Sequence, residues 1–423
     1  MPGPLTGITV LEFSQIFAGP FAGMLLADMG ADVIKVEPTW GEPWRYVEEF
    51  APGENRSFIS LNRGKRSLPL DLTTPEGRSI IHRLVKTADV VVINARSDVP
   101  RALGIDYETL SALNTRLVYC ENTAFGRNGP QSHRPGYDII AQAVTGIMAS
   151  EGKIENGVPQ QVQSTPLVDF VAAFTIALSV CGALYHRERT GTGQKIETSL
   201  MASALALQTS RFINIPAVDD ERRTDFLEEL GRLRREGADY RQIDDVYRSK
   251  LGPVRVGNIY YRTYRAADGA LAVGCLSDPL RKKLLGILGL EDIRFEEGYD
   301  STTEESRAFG DALVLKAEAI FKQRTVAEWV SALDEAGVPV GPVRFVEELM
   351  DDPQVVANGL VVEMEHAVAG ALKMVGPLMG MSETPLDLKR ASPALGEHAD
   401  EILRSIGYSE AEVRDLRDRG ITR

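Results

Sequence analysis

The strongest chemical anomaly in the sequence is Asp169, the one charge in a 19-residue apolar stretch from residue 167 to residue 185. Just before it, Ser164-Thr165-Pro166 offers a hydroxyl for a helix N-cap and a proline for the first helical position. A helix is therefore predicted to begin here. Asp169 then falls in or just after the first turn, where the positive end of the helix and its unpaired N–H groups favour an ionised carboxylate. Two roles fit. The acid either does no more than stabilise the helix start, or it stands at the mouth of a buried helix as a carboxylate nucleophile. The apolar run also has two readings. As a membrane span it is marginal in length and carries an acid near one end. As the central helix of a soluble core it needs the same composition, and the flanking chain has a soluble α/β pattern, so a buried helix and no membrane partner are expected.

Other chemistries find little support. The five histidines (His82, His133, His186, His366, His398) and three cysteines (Cys120, Cys181, Cys275) are dispersed, with no HxxxH or CxxC pair. No metal site and no disulfide framework is expected, and a reducing, cytoplasmic location follows. The dinucleotide and P-loop glycine signatures and the GxSxG elbow are absent from the sequence. Thr190-Gly191-Thr192-Gly193-Gln194 reads as a tight turn after the apolar helix. Arg63, Lys65 and Arg66 either meet phosphates at a sheet edge or form a solvated cluster. The 423 residues carry 60 acids against 47 bases, a formal charge of −13, with a pI near 5.1. That balance argues against a nucleic-acid partner, yet it leaves room for a small anion held by a few arginines. The N-terminus has neither the basic nor the apolar region of a signal peptide.

The elements that must position these residues alternate. Ile8-Thr9-Val10-Leu11-Glu12-Phe13 reads as a buried strand, residues 21–29 as a helix closed by Gly30, and residues 31–37 as the next strand. Thr74 and Pro75 open a helix that leads to a strand at residues 89–94. A helix at residues 107–113, a strand at 117–121 and a strand at 195–200 follow, and residues 67–72 form a further strand. This repetition predicts an α/β fold, a doubly wound parallel sheet. Its ligand crevice should lie at the carboxyl ends of the strands, near residues 14–17, 37–38, 94–96 and 122–126. Residues 219–250 hold ten acids and eight bases around apolar positions at helical intervals, which reads as two exposed amphipathic helices broken near Gly237. Residues 259–274 read as a hairpin turning at Asp268-Gly269.

Taken in order, several motifs make the chain resemble the class III coenzyme A transferases, the family of formyl-CoA transferase and carnitine CoA-transferase. They are Ala18-Gly19-Pro20, Gly30-Ala31-Asp32-Val33-Ile34-Lys35-Val36-Glu37, Asn62-Arg63-Gly64-Lys65-Arg66-Ser67, residues 126–130, Arg134-Pro135-Gly136-Tyr137-Asp138 with Gln142-Ala143, Asp169, residues 190–194 and Leu395-Gly396-Glu397-His398. The resemblance implies that Asp169 is the nucleophile. In that chemistry it attacks an acyl-CoA thioester to give an aspartyl anhydride, then an aspartyl-CoA thioester, and an acceptor acid runs the sequence backwards. Ala18–Gly19 N–H groups or the Gln15 side chain are candidate oxyanion donors. Ile16, Leu70, Leu72, Asn94, Leu103, Tyr137 and Asp138 match positions that line the family's CoA channel, and Arg66, Arg96 or Arg101 is expected to meet the CoA phosphates.

Coenzyme A and acyl-CoA are thus expected as substrates alongside a small carboxylic acid, with no tightly bound cofactor. Val256-Gly257-Asn258-Ile259 stands where formyl-CoA transferase has a glycine-rich flap. The acyl pocket is expected to draw on residues 14–17 and 257–261. Two alternatives are an alpha-methylacyl-CoA racemase, whose partner histidine position is Tyr137 here, and a non-catalytic CoA-binding paralogue in a heteromer. The implied architecture is a large Rossmann-like domain from residues 1–210 and 340–423, a helical linker at 211–250, and a smaller α+β domain at 225–335, in an interlocked homodimer.

Overall fold

In the structure, a computed structural model, residues 2–252, 257–300, 303–386, 388 and 390–423 are described. Val256 of the flap-equivalent stretch lies outside them. The chain forms two compact units, residues 1–245 with 354–423, and residues 246–353. The second unit shares residues 246–335 with the expected small domain and differs from it at both ends.

In the first unit, strands β1 (Thr9–Phe13), β2 (Asp32–Glu37), β3 (Lys65–Pro69), β4 (Val90–Ile93), β5 (Val118–Thr123) and β6 (Lys195–Ser199) form one parallel sheet in the order β3-β2-β1-β4-β5-β6. Strand order reverses between β1 and β4, so the loops that leave these two strands part and open a crevice. Alternate residues of β1 point to opposite faces. Val10 joins a layer containing helices α1 (Ala18–Asp28) and α4 (Leu167–Thr190). Leu11 joins the other layer, with α2 (Pro75–Val85) and the C-terminal helices α8 (Ala399–Ser405) and α9 (Glu410–Asp418). Strand β4 reads Val-Val-Val-Ile without alternation because both its faces are covered.

Helix α4 is apolar for the same reason. Val168, Ala172, Ala173, Ile176, Val180 and Ala183 form a buried stripe, while Phe174, Leu178 and Tyr185 face outward. Helix α2 starts as its sequence dictates, with the Thr74 hydroxyl accepting the Gly77 N–H at 3.1 Å and Pro75 in the first turn. Helices α6 (Pro216–Glu236) and α7 (Tyr240–Lys250) form the charged segment, divided at Gly237 with φ +73°.

Three boundaries differ from the sequence reading. Helix α1 begins at Ala18, not Phe21, because Pro20 falls in its first turn, where a missing N–H costs nothing. Strand β3 runs over Lys65–Pro69; just past its end, Leu70 donates its N–H to the Glu37 carbonyl at 2.8 Å and makes an isolated bridge to Thr422. Strand β6 stops at Ser199, whose hydroxyl accepts the Ala202 N–H at 3.1 Å and caps α5 (Leu200–Ala206).

The second unit holds a three-stranded antiparallel sheet, with Ala270–Gly274 between Tyr261–Arg265 and Val340–Pro342. It is backed by the helices Asp278–Leu288, Glu304–Phe321 and Val326–Glu335. The expected hairpin across Asp268-Gly269 is the first two of these strands.

Candidate active site

The crevice opens where the loops after β1 and β4 are tied together. Asn94 makes the tie: its Oδ1 accepts the Gln15 N–H at 3.0 Å, and its Nδ2 donates to the Gln15 carbonyl at 2.8 Å. Ile16 follows at φ +72°, in the left-handed region that branched side chains resist. Its N–H donates to Glu42 Oε2 at 2.8 Å. Gly19 is required next, since a Cβ there would stand 2.2 Å from the Cβ of Ser14. Helix α1 therefore starts hard against the turn. No side chain caps it, and among the described residues the Ala18 and Gly19 N–H groups have no hydrogen-bond partner. These are free donors at the positive end of an 11-residue helix.

Asp169 reaches the same crevice from the start of α4. That start differs from the expected one. Pro166 occupies the N-cap position, and neither Ser164 nor Thr165 caps the helix. The cap comes from Asp138, at the first position of α3 (Asp138–Val144), whose Oδ2 accepts the Val168 and Asp169 N–H groups at 2.8 and 3.1 Å. Gln142 donates to Asp138 in turn, and its own Oε1 accepts the Val162 N–H at 2.9 Å. This changes the electrostatics. The N–H groups expected to favour an ionised Asp169 are already engaged, and the engaging group is a second carboxylate. Burial, and after it the Asp138 charge, pushes the Asp169 carboxyl up to about 7. No side-chain hydrogen bond among the described residues offsets this.

Two adjoining clefts share Gln15, Asn94, Ala95 and Val99. The first, about 310 Å³, is lined by Gln15, Ile16, Phe17, Ala18, Arg134 and Asp169 among others, and among the described residues Asp169 is its one carboxylate. The second, about 520 Å³, is apolar along Phe13, Val36, Leu70, Leu72, Leu103 and Ile105, with Trp40 at its edge.

The named residues divide accordingly. Asp169, Gln15, Ile16, Asn94, Arg96 and Tyr137 come together at the first cleft, and Leu70, Leu72 and Leu103 at the second. Asp138 is buried beneath the first cleft as a cap and does not line it. Arg66 lines neither cleft, because its guanidinium is held by Asp32 and Glu401. Its neighbours are likewise engaged: Arg63 with Asp28 at 2.6 Å and Lys65 with Glu12 at 2.7 Å, all four buried. The alternative of a solvated cluster fails for these two, since each serves a buried carboxylate. Arg96 pairs with Asp98 at 2.5 Å, and Arg101 lines a separate depression with Arg127 and Lys195. Arg134 was not singled out from sequence. Its guanidinium lies over the Phe125 ring, 5.3 Å from the centroid, with no ion pair among the described residues.

An α/β protein with a carboxylate-centred cleft at the switch point of a doubly wound sheet is the class that this geometry defines. The chain belongs to CoA-transferase family III, whose profile matches residues 5–399, and it is an enzyme of that class. It is 34% identical to succinate–glutarate CoA-transferase of Agrobacterium fabrum, over 95% of this chain and 96% of that protein. Identity to human succinyl-CoA:glutarate CoA-transferase is 28%, over 99% and 90%. Identity to formyl-CoA:oxalate CoA-transferase of Rhodopseudomonas palustris is 29%, over 99% and 97%. A solved CAIB/BAIF family protein from Brucella suis superposes with a TM-score of 0.72 at 30% identity, over 96% and 100% of the two chains.

Proposed function

We propose that the enzyme moves coenzyme A from an acyl-CoA donor to a carboxylic acid by way of Asp169. The observation that carries this reading is the single carboxylate in the first cleft, without a hydrogen-bonding side chain, beside the uncapped start of α1. The ionised Asp169 attacks the thioester carbonyl, and the C–S bond breaks to give an aspartyl–acyl anhydride and CoA thiolate. The thiolate attacks the aspartyl carbonyl of that anhydride and expels the donor acid, leaving an aspartyl-CoA thioester. The acceptor carboxylate attacks this thioester and forms a new anhydride, and returning thiolate takes up the acceptor acyl group and frees Asp169. A carboxyl raised to about 7 is more basic, and so a better nucleophile, than an ordinary aspartate, while an ionised fraction remains at neutral pH. The tetrahedral oxyanions would be received by the Ala18 and Gly19 N–H groups or by the Gln15 amide.

The second cleft suits the CoA chain, with Leu70, Leu72 and Leu103 along it and Asn94 at the junction where the thioester would enter the first. Arg96 is the phosphate-contact candidate at the first cleft, and Arg101 stands on the nearby depression. The acids are proposed to be short dicarboxylates. Arg134 offers a guanidinium for the second carboxylate, and relatives named for glutarate and oxalate support that class. A homodimer is proposed on the outward apolar residues of α4, and a cytoplasmic location on the three free cysteines.

The test is a transfer assay with succinyl-CoA against a panel of mono- and dicarboxylic acids. Transfer to at least one dicarboxylate is expected, with Arg134→Ala raising the KM for the acid about tenfold or more and leaving that for succinyl-CoA within about twofold. Transfer that ignores the second carboxylate would contradict the assignment of Arg134.

A further inference from the structure

Beneath residues 14–20 lies a set of charges that the chemistry itself does not use. Glu12, Lys35 and Lys65 are fully buried, and Glu42 is 1% exposed. Lys35 stands 3.0 Å from Glu12 and 3.4 Å from Glu42, and Lys65 stands 2.7 Å from Glu12. Ions removed from water to this degree are costly, and such pairs are weak devices for stability alone. Three of their other hydrogen bonds converge on one backbone segment, while Lys65 also donates to Asn62 Oδ1 at 2.7 Å. Lys35 donates to the Ser14 carbonyl at 2.9 Å, Glu42 accepts the Ile16 N–H at 2.8 Å, and Lys65 donates to the Pro20 carbonyl at 2.7 Å.

The segment needs holding. Ile16 is a branched residue at φ +72°, a conformation that persists only where surroundings enforce it. The residues flanking it reach the site: Gln15, Ile16, Phe17 and Ala18 all line the Asp169 cleft. The ring of Phe17 packs edge-on against Phe170, next to Asp169, with centroids 4.6 Å apart. Among the described residues, Glu42 is the one group that binds the N–H of the strained residue itself. Lys35 pairs with Glu42 and also grips Ser14. It thereby fixes the carboxylate and the turn to each other.

We propose that Glu42 is a positioning residue for catalysis: by accepting the Ile16 N–H it enforces the left-handed turn that brings Gln15, Phe17 and the free N–H groups of α1 into the Asp169 cleft. The proposal rests on the transferase reading of that cleft. It predicts a larger loss in turnover than in CoA binding: Glu42, Ser14 and Gln15 do line the second cleft, but most of its lining, Leu70, Leu72 and Leu103 included, lies outside the turn and its support.

A double-mutant cycle with Ile16→Gly tests it, since glycine adopts positive φ without enforcement. Rates are taken per folded molecule, with the folded fraction measured by circular dichroism. In the full-length enzyme, Glu42→Ala is expected to lower kcat about 10- to 100-fold while the KM for succinyl-CoA stays within about threefold. In the Ile16→Gly background the same change should cost less than about threefold. Glu42→Gln keeps an acceptor oxygen, so it should fall between the wild type and Glu42→Ala, and it takes that variant's place in the cycle if the alanine protein does not fold. Equal losses in both backgrounds, or an unchanged kcat per folded molecule in Glu42→Ala, would overturn the role of Glu42. Absence of any acyl-CoA-dependent label on Asp169 in the unmodified enzyme would overturn the transferase reading and this role with it. A labelled Asp169 together with equal losses overturns the positioning role alone.

Discussion

The two walls of the Asp169 cleft are built by opposite means. On one side, α4 lies in its layer through apolar residues, Ala172, Ala173, Ile176 and Ala177, and a single carboxylate, Asp138, ties its first turn to α3. On the other, residues 14–20 sit above Glu12, Lys35, Glu42 and Lys65. The difference follows from what each wall must hold. A helix satisfies its own backbone beyond the ends, so apolar packing is enough to place it. A turn with a positive φ leaves N–H and C=O groups that only polar partners can satisfy in a dry interior. Asp169, the proposed nucleophile, is therefore mounted on apolar packing, and the turn that faces the cleft is mounted on ions.

Removing the proposed nucleophile should have the largest effect. Asp169→Ala is expected to reduce CoA transfer by about 10⁴-fold or more, read as initial rate per folded molecule, with CoA binding preserved. Breaking the ionic wall comes next. Lys65→Met leaves Glu12 with fewer compensating charges and should cost about 3–5 kcal/mol in denaturant unfolding. Ile176→Ala, on the apolar wall, should cost about 2–4 kcal/mol. If the lysine variant proved the more stable of the two, the contrast between the walls would be wrong.

The raised carboxyl of Asp169 makes a smaller and signed prediction. Its folded value, about 7, lies above the ordinary value of 3.8, so ionisation opposes folding. The cost is absent below about pH 4, grows as pH rises, and levels off above about pH 7. Asp169→Asn removes it and should stabilise the protein on the order of 1–3 kcal/mol at pH 8, with the advantage shrinking as pH falls toward 4. Thermal unfolding at a series of pH values checks this. In the unmodified enzyme kcat/KM should rise with pH through about 7, as the nucleophile ionises. Asp138→Asn removes the second cause of the upward shift but not burial, so the midpoint should move down by only a fraction of a pH unit. A midpoint that moved up would contradict the cap's electrostatic role.

Much of this was legible in the chain. Short β-branched runs separated by amphipathic helices announce a parallel sheet, and Thr74-Pro75 marks a helix start by its own local chemistry. Asp169 stands out because a charge in a long apolar run is locally anomalous. The rest depended on partners distant in sequence. Asp138 accepts the N–H of Val168, 30 residues later, at the start of another helix, so no local motif records it. Lys35, Lys65 and Glu42 look like ordinary surface charges, and only the fold reveals that each is buried against the others. Arg66 looked free for a phosphate for the same reason, since its partner Glu401 is 335 residues away. Residues 341–353 read as the start of a tail that returns to the first domain, but Val340–Pro342 pairs in the second unit, and the return begins at residue 354.

The most direct measurement of the central claim is covalent capture of Asp169 during turnover. The enzyme is mixed with succinyl-CoA, quenched with borohydride or hydroxylamine, digested and mapped by mass spectrometry. Borohydride reduction of an aspartyl-CoA thioester would leave the alcohol at residue 169, and hydroxylamine would leave a hydroxamate there. Either product, confined to the peptide carrying Asp169 and absent without acyl-CoA, is the predicted result. An unmodified Asp169 in an enzyme that nonetheless transfers CoA would contradict the account.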